Sequence, residues 1–215
     1  MKSVLIVGAG RFGRHMAQKL NQLGHQVMIV DGDEERVRVA LPYATRGVIG
    51  DTTSPEFMKT LGVNDYDLCV VAIGDDFQSS LETTLLLKEL GAKKVVSRAA
   101  RGIHAKFLLR NGADEVVYPE KELAEWSAIR YISDHIFDYI KLDDDNSIFE
   151  IDVPKAWLYK TLSDLNIRRK YKMNVVGYRK NGQLSMDVDP YITLEEDIRL
   201  FVTGTPKTIQ KLFKD

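Results

Sequence analysis

Short runs of apolar and β-branched residues recur through residues 1–120, and each is followed by a helical spacing of apolar positions and a turn signal. The six runs are Val4–Val7, Gln26–Val30, Gly47–Ile49, Asp67–Ile73, Lys94–Ser97 and Glu115–Tyr118. The first helical spacing, from Phe12 to Leu23, stops at Gly24, a residue that commonly ends a helix. Apolar strands that alternate with helices are typical of a parallel sheet covered on both faces. We therefore predict an α/β, doubly wound domain with a six-stranded parallel sheet over residues 1–120.

After Pro119, apolar residues follow a helical spacing instead. The positions are Leu123, Trp126, Ile129, Ile132, Ile136 and Ile140. Aromatic residues in the same stretch lie on more than one side, which is more than one contact face within the chain needs. The spacing predicts a long crossover helix over residues 121–142 that acts as linker and dimerisation helix. Simple packing on the first domain is the alternative.

Beyond the acidic stretch at 143–146, the pattern changes to strands that pair with their neighbours in sequence. Val175–Lys180 and Gln183–Val188 flank Asn181-Gly182, which favours a two-residue hairpin because both residues accept a positive φ. The other predicted elements are the strand Ile148–Val153, the helix Leu158–Arg169, the strand Ile198–Thr203 and the helix Thr205–Phe213. We predict a small α+β domain over residues 143–215 that packs against another copy or against the first domain.

Composition narrows the classes of partner. The 215 residues carry 30 Lys and Arg against 31 Asp and Glu, so the net charge of -1 gives no global attraction to nucleic acid or to an anionic membrane. The single cysteine cannot form a disulfide within the chain, and the amino terminus lacks a signal-peptide pattern. No apolar run approaches the ~20 residues that span a bilayer. We expect a cytoplasmic protein that binds no nucleic acid and reaches a membrane only through a partner.

A glycine-rich turn, Gly8-Ala9-Gly10-Arg11-Phe12-Gly13, directly follows the first predicted strand and opens the first predicted helix. In this context the first glycine permits a tight turn, the second lets the backbone approach a phosphate, and the third lets the helix pack on the strand. Asp31 ends the second strand, where a carboxylate can accept hydrogen bonds from ribose hydroxyls. The combination predicts a Rossmann-like nucleotide site, with a glycine turn and an incidental Asp as the alternative.

Arginine distinguishes this site from that of a dinucleotide-dependent enzyme. Arg11 stands among the glycines, and Arg98 ends the fifth strand, at the edge where open α/β sheets bind ligands. The additional charge of ADP or ATP rewards forked guanidinium donors. We predict that Arg11 and Arg98 contact phosphates, whereas Arg14 is more simply interpreted as solvated. Asp51, after the third strand, is a candidate for the adenine side or a residue of an ordinary turn.

Signs of catalysis are few. No Tyr is followed four residues later by Lys, which removes the acid/base pair of short-chain dehydrogenases, and the four histidines are scattered. Cys69 lies within an apolar strand, where a buried thiol is not a nucleophile. The second domain is too small to enclose a substrate over a nicotinamide. We expect a binding protein and not an enzyme, with a small NAD(P)-dependent oxidoreductase as the alternative.

Motifs outside the glycine turn add a further indication. With that turn, the set is Val7–Gly13, Val30-Asp31, Gly50-Asp51-Thr52, Ala72-Ile73-Gly74, Leu85–Leu90, Gly112–Val116, Pro119-Glu120-Lys121 and Leu165–Arg168. In these motifs and in the order of its two domains, the chain resembles the cytosolic regulatory subunits of bacterial potassium uptake systems of the Ktr/Trk type. Those subunits are built from RCK domains, which combine a TrkA-N and a TrkA-C part.

The resemblance implies a homodimer, assembly of dimers into an octameric ring, and docking of the ring on a membrane potassium channel subunit. It implies exchange of ATP for ADP as the gating signal, with NAD or NADH as ligands in some members. Asp31 matches the ribose carboxylate, Asp51 with Thr52 the adenine side, and Glu120 an acidic position where a divalent cation binds. The predicted cofactor-binding residues are Gly8, Gly10, Arg11, Phe12, Gly13, Asp31, Asp51, Thr52, Ile73, Gly74 and Arg98.

The second domain resembles domains that bind cyclic di-AMP at their dimer interface. Ile167, Arg168, Val175, Val176 and Pro190 fall on that pattern and are predicted as a second ligand site. The resemblance thus implies two ligand sites, one in each domain.

Overall fold

The structure is a computed structural model that describes residues 1–213 and divides into two compact units, residues 1–121 and a second unit that begins at Glu122. The strands of the first unit are β1 (Ser3–Val7), β2 (Gln26–Asp31), β3 (Arg46–Ile49), β4 (Leu68–Val71), β5 (Val95–Arg98) and β6 (Glu115–Val117). Its helices are α1 (Arg11–Gln22), α2 (Glu34–Ala40), α3 (Pro55–Thr60), α4 (Phe77–Glu89) and α5 (Gly102–Arg110). All six strands are parallel, in the order β3-β2-β1-β4-β5-β6, which confirms the predicted doubly wound sheet.

Neighbouring residues of the central strands are buried on opposite faces of this sheet. In β1, Leu5 and Val7 pack in one apolar cluster, whereas Val4 and Ile6 pack in another. Because side chains alternate along a strand, a sheet covered on both faces needs apolar residues at successive positions. The order of strands reverses beside β1 and β4, and such a switch point opens a crevice at the carboxyl ends of the strands.

The second unit is built on a five-stranded antiparallel sheet. Its strands are β7 (Ile136–Lys141), β8 (Ser147–Asp152), β9 (Asn174–Lys180), β10 (Gln183–Ser185) and β11 (Ile198–Gly204), in the order β10-β9-β11-β8-β7. Its short helices are α7 (Leu162–Leu165), α8 (Ile167–Tyr171) and α9 (Pro206–Leu212). The predicted Asn181-Gly182 hairpin is present, with a positive φ at both residues, although β10 ends three residues earlier than Val188. Along residues 1–213, no helix is long and apolar enough to cross a membrane.

The predicted helix over residues 121–142 is wrong beyond Tyr131. The helix α6 spans Pro119–Tyr131, and the residues from Ile136 onward form β7, an edge strand paired with β8. A bulge between Ile136 and Asp138 shifts the alternation, so Ile136 and Tyr139 are both buried in the core of the second unit. Pairing with β8 and burial of these two side chains favour the strand over a longer helix.

The predicted helix Leu158–Arg169 is wrong in its first turn and is interrupted in its middle. Tyr159 has a φ of 61°, so no helix passes through it. Helix α7 begins after Thr161, whose side chain forms a capping box with Asp164. Asn166, with a φ of 47°, then separates α7 from α8. The segment is therefore two short helices joined by one left-handed residue.

Candidate functional site

The glycine turn after β1 is fixed by close backbone packing. Gly8 has a φ of +102°, and its N–H donates to the carbonyl oxygen of Val30 at 2.7 Å. A Cβ on Gly13 would overlap the carbonyl oxygen of Gly8, so α1 packs on the turn only because position 13 has no side chain. Gly10 is the N-cap of α1, and the helix has neither a side-chain cap nor an acidic residue in its first turn. The positive end of the helix dipole therefore remains available to an anion.

Asp31, at the end of β2, is held by the backbone. Its Oδ2 accepts a hydrogen bond from the N–H of Ala9 at 2.7 Å, and its Oδ1 accepts one from the N–H of Asp33 at 3.0 Å. The side chain is 12% exposed. The carboxylate thus lies beside the glycine turn, where its remaining lone pairs can accept hydrogen bonds from ribose hydroxyls.

Arg98, at the end of β5, lies near Phe12 in the first turn of α1. Its guanidinium lies 5.8 Å from the ring centroid of Phe12, and its Nη2 donates to the carboxylate of Glu120. A Cβ on Gly74 would overlap its Nη1. Within residues 1–213, its buried Nε has no hydrogen-bond partner. The side chain is 18% exposed, so one cation is held close to the positive end of α1 with unused hydrogen-bonding capacity.

Glu120 balances this positive charge. Burial opposes its ionisation, but hydrogen bonds from its own backbone N–H and from Arg98, with the charges of Arg98 and Arg11, lower the pKa of the carboxyl overall. Glu120 is therefore a carboxylate near neutral pH. The attraction from both arginines places Arg11, Arg98 and Glu120 in one electrostatic group.

Two acidic residues of the site accept hydrogen bonds from residues two or three positions further along the chain. Asp51 Oδ1 accepts hydrogen bonds from the N–H of Thr53 at 2.9 Å and from its Oγ1 at 2.7 Å, and these bonds lower the pKa of Asp51. Asp76 caps α4 by accepting from the N–H and the hydroxyl of Ser79, which lowers its pKa in the same way. Thr52 is buried, with its hydroxyl 3.1 Å from that of Thr83. The Asp51 carboxylate therefore fixes the turn after β3.

A cavity of about 1050 Å³ joins these residues at the carboxyl edge of the parallel sheet. The predicted residues that line it are Gly8, Gly10, Arg11, Phe12, Asp31, Asp51, Thr52, Ile73, Gly74, Arg98 and Glu120. Gly13 lies outside it and has a packing role. Arg14 and Arg36 also line the cavity. The sequence favours a solvated Arg14, which here is half-buried, and no sequence signal marks Arg36, because it lies within α2 and not at a strand end.

The sequence also predicts a divalent cation at Glu120 and cyclic di-AMP in the second unit. Residues 1–213 contain no group of three or more His, Cys, Asp or Glu side chains placed to hold a metal ion, so Glu120 belongs to no such group. The five residues predicted for cyclic di-AMP lie in the second unit. Ile167 is buried in its core, Arg168 and Pro190 are exposed, and Val175 and Val176 are half-buried in β9. A joint ligand-binding role for these five stays a prediction.

Two families of domain match the chain. The TrkA-N domain matches residues 4–119, and the TrkA-C domain matches residues 147–215. The Ktr system potassium uptake protein C of Bacillus subtilis (strain 168) is 36% identical over 99% of this chain and 96% of its own length. The Ktr system potassium uptake protein A of the same organism is 33% identical over 98% of this chain and 95% of its own length.

Solved structures share the fold. The GsuK channel bound to NAD matches with a TM-score of 0.69 at 19% identity, covering 98% of this chain and 38% of that one. GsuK bound to ADP matches with a TM-score of 0.52 at 20% identity, covering 60% of this chain and 34% of that one. The chain spans less than half the length of both. The resemblance inferred from the motifs is confirmed: this chain belongs to the family of Ktr and Trk potassium uptake proteins, in which a TrkA-N domain precedes a TrkA-C domain.

Proposed function

We propose that the chain is a cytoplasmic regulatory subunit of a potassium uptake system, which binds ATP or ADP in its first unit and acts on a separate membrane channel subunit. Both Bacillus subtilis relatives are named as Ktr potassium uptake proteins, and their similarity to this chain extends over nearly its whole length. On this proposal the chain binds nucleotide as a signal and does not convert it.

The observation that carries the nucleotide part is the position of Arg98. Its guanidinium is close to the uncapped start of α1, where Gly10 and Arg11 line the same cavity. A helix amino terminus and two arginines supply more positive charge than a pyrophosphate needs. The carboxylate of Asp31 accepts a hydrogen bond from the N–H of Ala9 in the same turn, where it can also accept from a ribose. We infer an adenosine nucleotide whose phosphates lie between Arg11 and Arg98.

A nucleotide can regulate only if it binds two arrangements of the protein with different affinity. A terminal phosphate contacted by a flexible, exposed arginine such as Arg11 stabilises the arrangement that brings this side chain close. Repeated sites in an assembly could supply ~1 to 2 kcal/mol each, which together is enough to move a two-state gate.

If Arg11 contacts the terminal phosphate, its substitution should affect ATP binding more than ADP binding. Arg11→Ala should weaken ATP binding by about tenfold or more and ADP binding by less, since a charge-assisted hydrogen bond contributes ~1.5–3 kcal/mol. Calorimetric titration of purified protein with each nucleotide measures both constants. Lys19→Ala, which removes an exposed charge at the other end of α1, is the control and should change neither. Equal losses for ATP and ADP would mean that Arg11 does not contact the terminal phosphate.

A nicotinamide-dependent oxidoreductase is the second candidate, because a glycine turn followed by a carboxylate at the end of the second strand also occurs in enzymes that bind dinucleotides. The same titration with NADH separates the two. Tight NADH binding without competition by ATP, together with reduction of a substrate, would favour the oxidoreductase. Competition between NADH and ATP with no turnover favours a regulatory subunit.

Assembly and further ligands belong to the same proposal. We infer a homodimer, and a ring of dimers with octameric stoichiometry, in part because α5 exposes Ile103 and Phe107 on one face. A divalent cation at Glu120 would take its other ligands from the phosphates. Cyclic di-AMP would bind the second unit near Arg168. Sedimentation of the purified protein with and without ATP, and with each ligand in turn, tests the stoichiometry and both ligands.

A further inference from the structure

Arg36 lines the proposed nucleotide cavity, and the phosphate contacts proposed above do not involve it. It belongs to the first turn of α2, which follows Asp31 and the loop after β2. Its Nη1 lies 4.0 Å from Oδ2 of Asp31, and its Nε lies 3.7 Å from Oδ2 of Asp33. Both contacts are ion pairs, and their distances are too long for hydrogen bonds. Arg36 therefore extends back from the helix toward Asp31, whose Oδ2 also accepts the hydrogen bond from Ala9 in the glycine turn.

The two carboxylates that hold Arg36 are themselves fixed by backbone groups. Asp31 accepts from Ala9 and Asp33 as described, and Asp33 caps α2 by accepting from the N–H groups of Glu35 and Arg36 at 2.9 and 3.2 Å. The Arg36 side chain is 62% exposed, so the flat faces of the guanidinium are not enclosed by other groups.

Two other residues that line the cavity already form hydrogen bonds within the protein. Asp51 is occupied by Thr53, and the hydroxyl of Thr52 is directed to Thr83. An aromatic base bound beside Arg36 could lie against its guanidinium, because this side chain is largely exposed and lines the cavity. Guanidinium groups stack on aromatic faces by cation–π attraction and by planar contact.

We propose that Arg36 is the residue that recognises the nucleoside end of the ligand, with its guanidinium stacked on the adenine while Asp31 accepts from the ribose hydroxyls. The ribose must be unphosphorylated. Asp31 and Asp33 together outnumber Arg36 in charge, so a phosphate on the 2′-oxygen would meet net negative potential. The inference rests on the proposed nucleotide cavity and assigns the part of it that ATP, ADP, AMP and NADH share.

The test compares Arg36→Ala and Arg36→Lys with the wild-type protein. Arg36→Ala should weaken the binding of AMP, ADP and ATP by the same factor. We expect a roughly three- to thirtyfold loss of affinity, the range expected for a cation–π contact. Binding of inorganic tripolyphosphate, which has no nucleoside, should not change. Arg36→Lys should lose nearly as much as Arg36→Ala because it keeps the charge and removes the plane. Arg38→Ala is the matched control, since Arg38 lies on the same helix, pairs with Glu35 and does not line the cavity.

Three results would overturn the inference. A loss that grows from AMP to ATP would make Arg36 a phosphate contact, and full binding by Arg36→Lys would reduce its role to charge. A loss confined to NADPH would make it a 2′-phosphate contact. Thermal unfolding without ligand checks that each variant is folded. If the wild-type protein binds NADH in place of ATP, the proposed function fails while the AMP and NADH titrations still test Arg36.

Discussion

At the scale of single residues, two glycines of one turn have opposite requirements. Gly13 has no room for a Cβ because the carbonyl oxygen of Gly8 occupies that space, whereas no described atom lies within 4 Å of a Cβ at Gly10. Gly13→Ala should therefore destabilise the ligand-free protein by ~1–3 kcal/mol or more through overpacking. Gly10→Ala should cost less than ~1 kcal/mol. Urea unfolding of both variants without nucleotide measures the difference, and equal midpoints would show that α1 does not pack tightly on β1.

Cys69 gives a pH-dependent prediction at the same scale. The thiol is fully buried in β4, and burial raises its pKa to about 12. A folded pKa above the unfolded value of about 8.5 means that the contribution of the protonated thiol to stability is complete below that value. It is lost progressively as the pH rises toward the folded pKa. Alkylation by iodoacetamide near pH 8.5 should be blocked in the folded protein and rapid in urea. Rapid alkylation without urea would contradict the burial.

The sequence predicts some side-chain roles and not others, for a physical reason. Asp31 was predictable because the end of a strand beside a glycine turn constrains what a carboxylate there can contact. Asp51 occupies a similar place after β3, but Thr53 takes its oxygen through two local hydrogen bonds. Whether a carboxylate contacts its own turn or a ligand depends on side-chain rotamers, and no periodicity in the sequence reports them. Arg36 was missed for the same reason.

At the scale of elements, Asn166 determines that α7 and α8 are separate helices. It is exposed and has a φ of 47° and a ψ of 48°, a left-handed conformation that β-branched residues avoid. Asn166→Val should destabilise the protein by ~1–2 kcal/mol, whereas Asn166→Gly should be close to neutral. Chemical denaturation of both variants measures the two effects. A Val variant as stable as the wild type would indicate that the two helices form one continuous helix.

Most elements of the first unit could be predicted, since a strand buried on both faces leaves an apolar run that few other structures share. The connection after Pro119 could not. Ile132, Ile136 and Ile140 are spaced by four residues, which mimics a helix face, while only Ile136 of the three is buried. The bulge in β7 and the pairing with β8 decide the conformation, and both depend on a strand that lies later in the chain.

At the scale of the molecule, Glu120 both lines the cavity and belongs to the helix α6. It is the second residue of α6, which continues past Lys121 to Tyr131. Its carboxylate binds Arg98, so it competes with phosphates for the same cation. Glu120→Gln should therefore strengthen binding of metal-free ATP several-fold and leave AMP less affected.

The divalent ion provides the contrasting condition. If Glu120 is a ligand of a cation held by the phosphates, Glu120→Gln should weaken the binding of ATP in the presence of Mg²⁺. The same substitution should strengthen the binding of ATP in EDTA. Glu122→Gln, two residues further along α6, is the control for a change of charge on this helix. Identical affinities of the Glu120 variant and the wild type in both buffers would exclude Glu120 from the phosphate site.

The contact between Gly74 and Arg98 also constrains how this site can evolve. Any side chain at position 74 would require the guanidinium, the far end of a flexible side chain, to move, so glycine there and Arg98 in its present place are expected to be inherited together. A relative with alanine at the position of Gly74 is expected to have a shorter residue opposite it, or a cation moved outward into the ligand space. Counting such paired exchanges among homologous sequences would show which lineages keep an arginine packed against a glycine at this place.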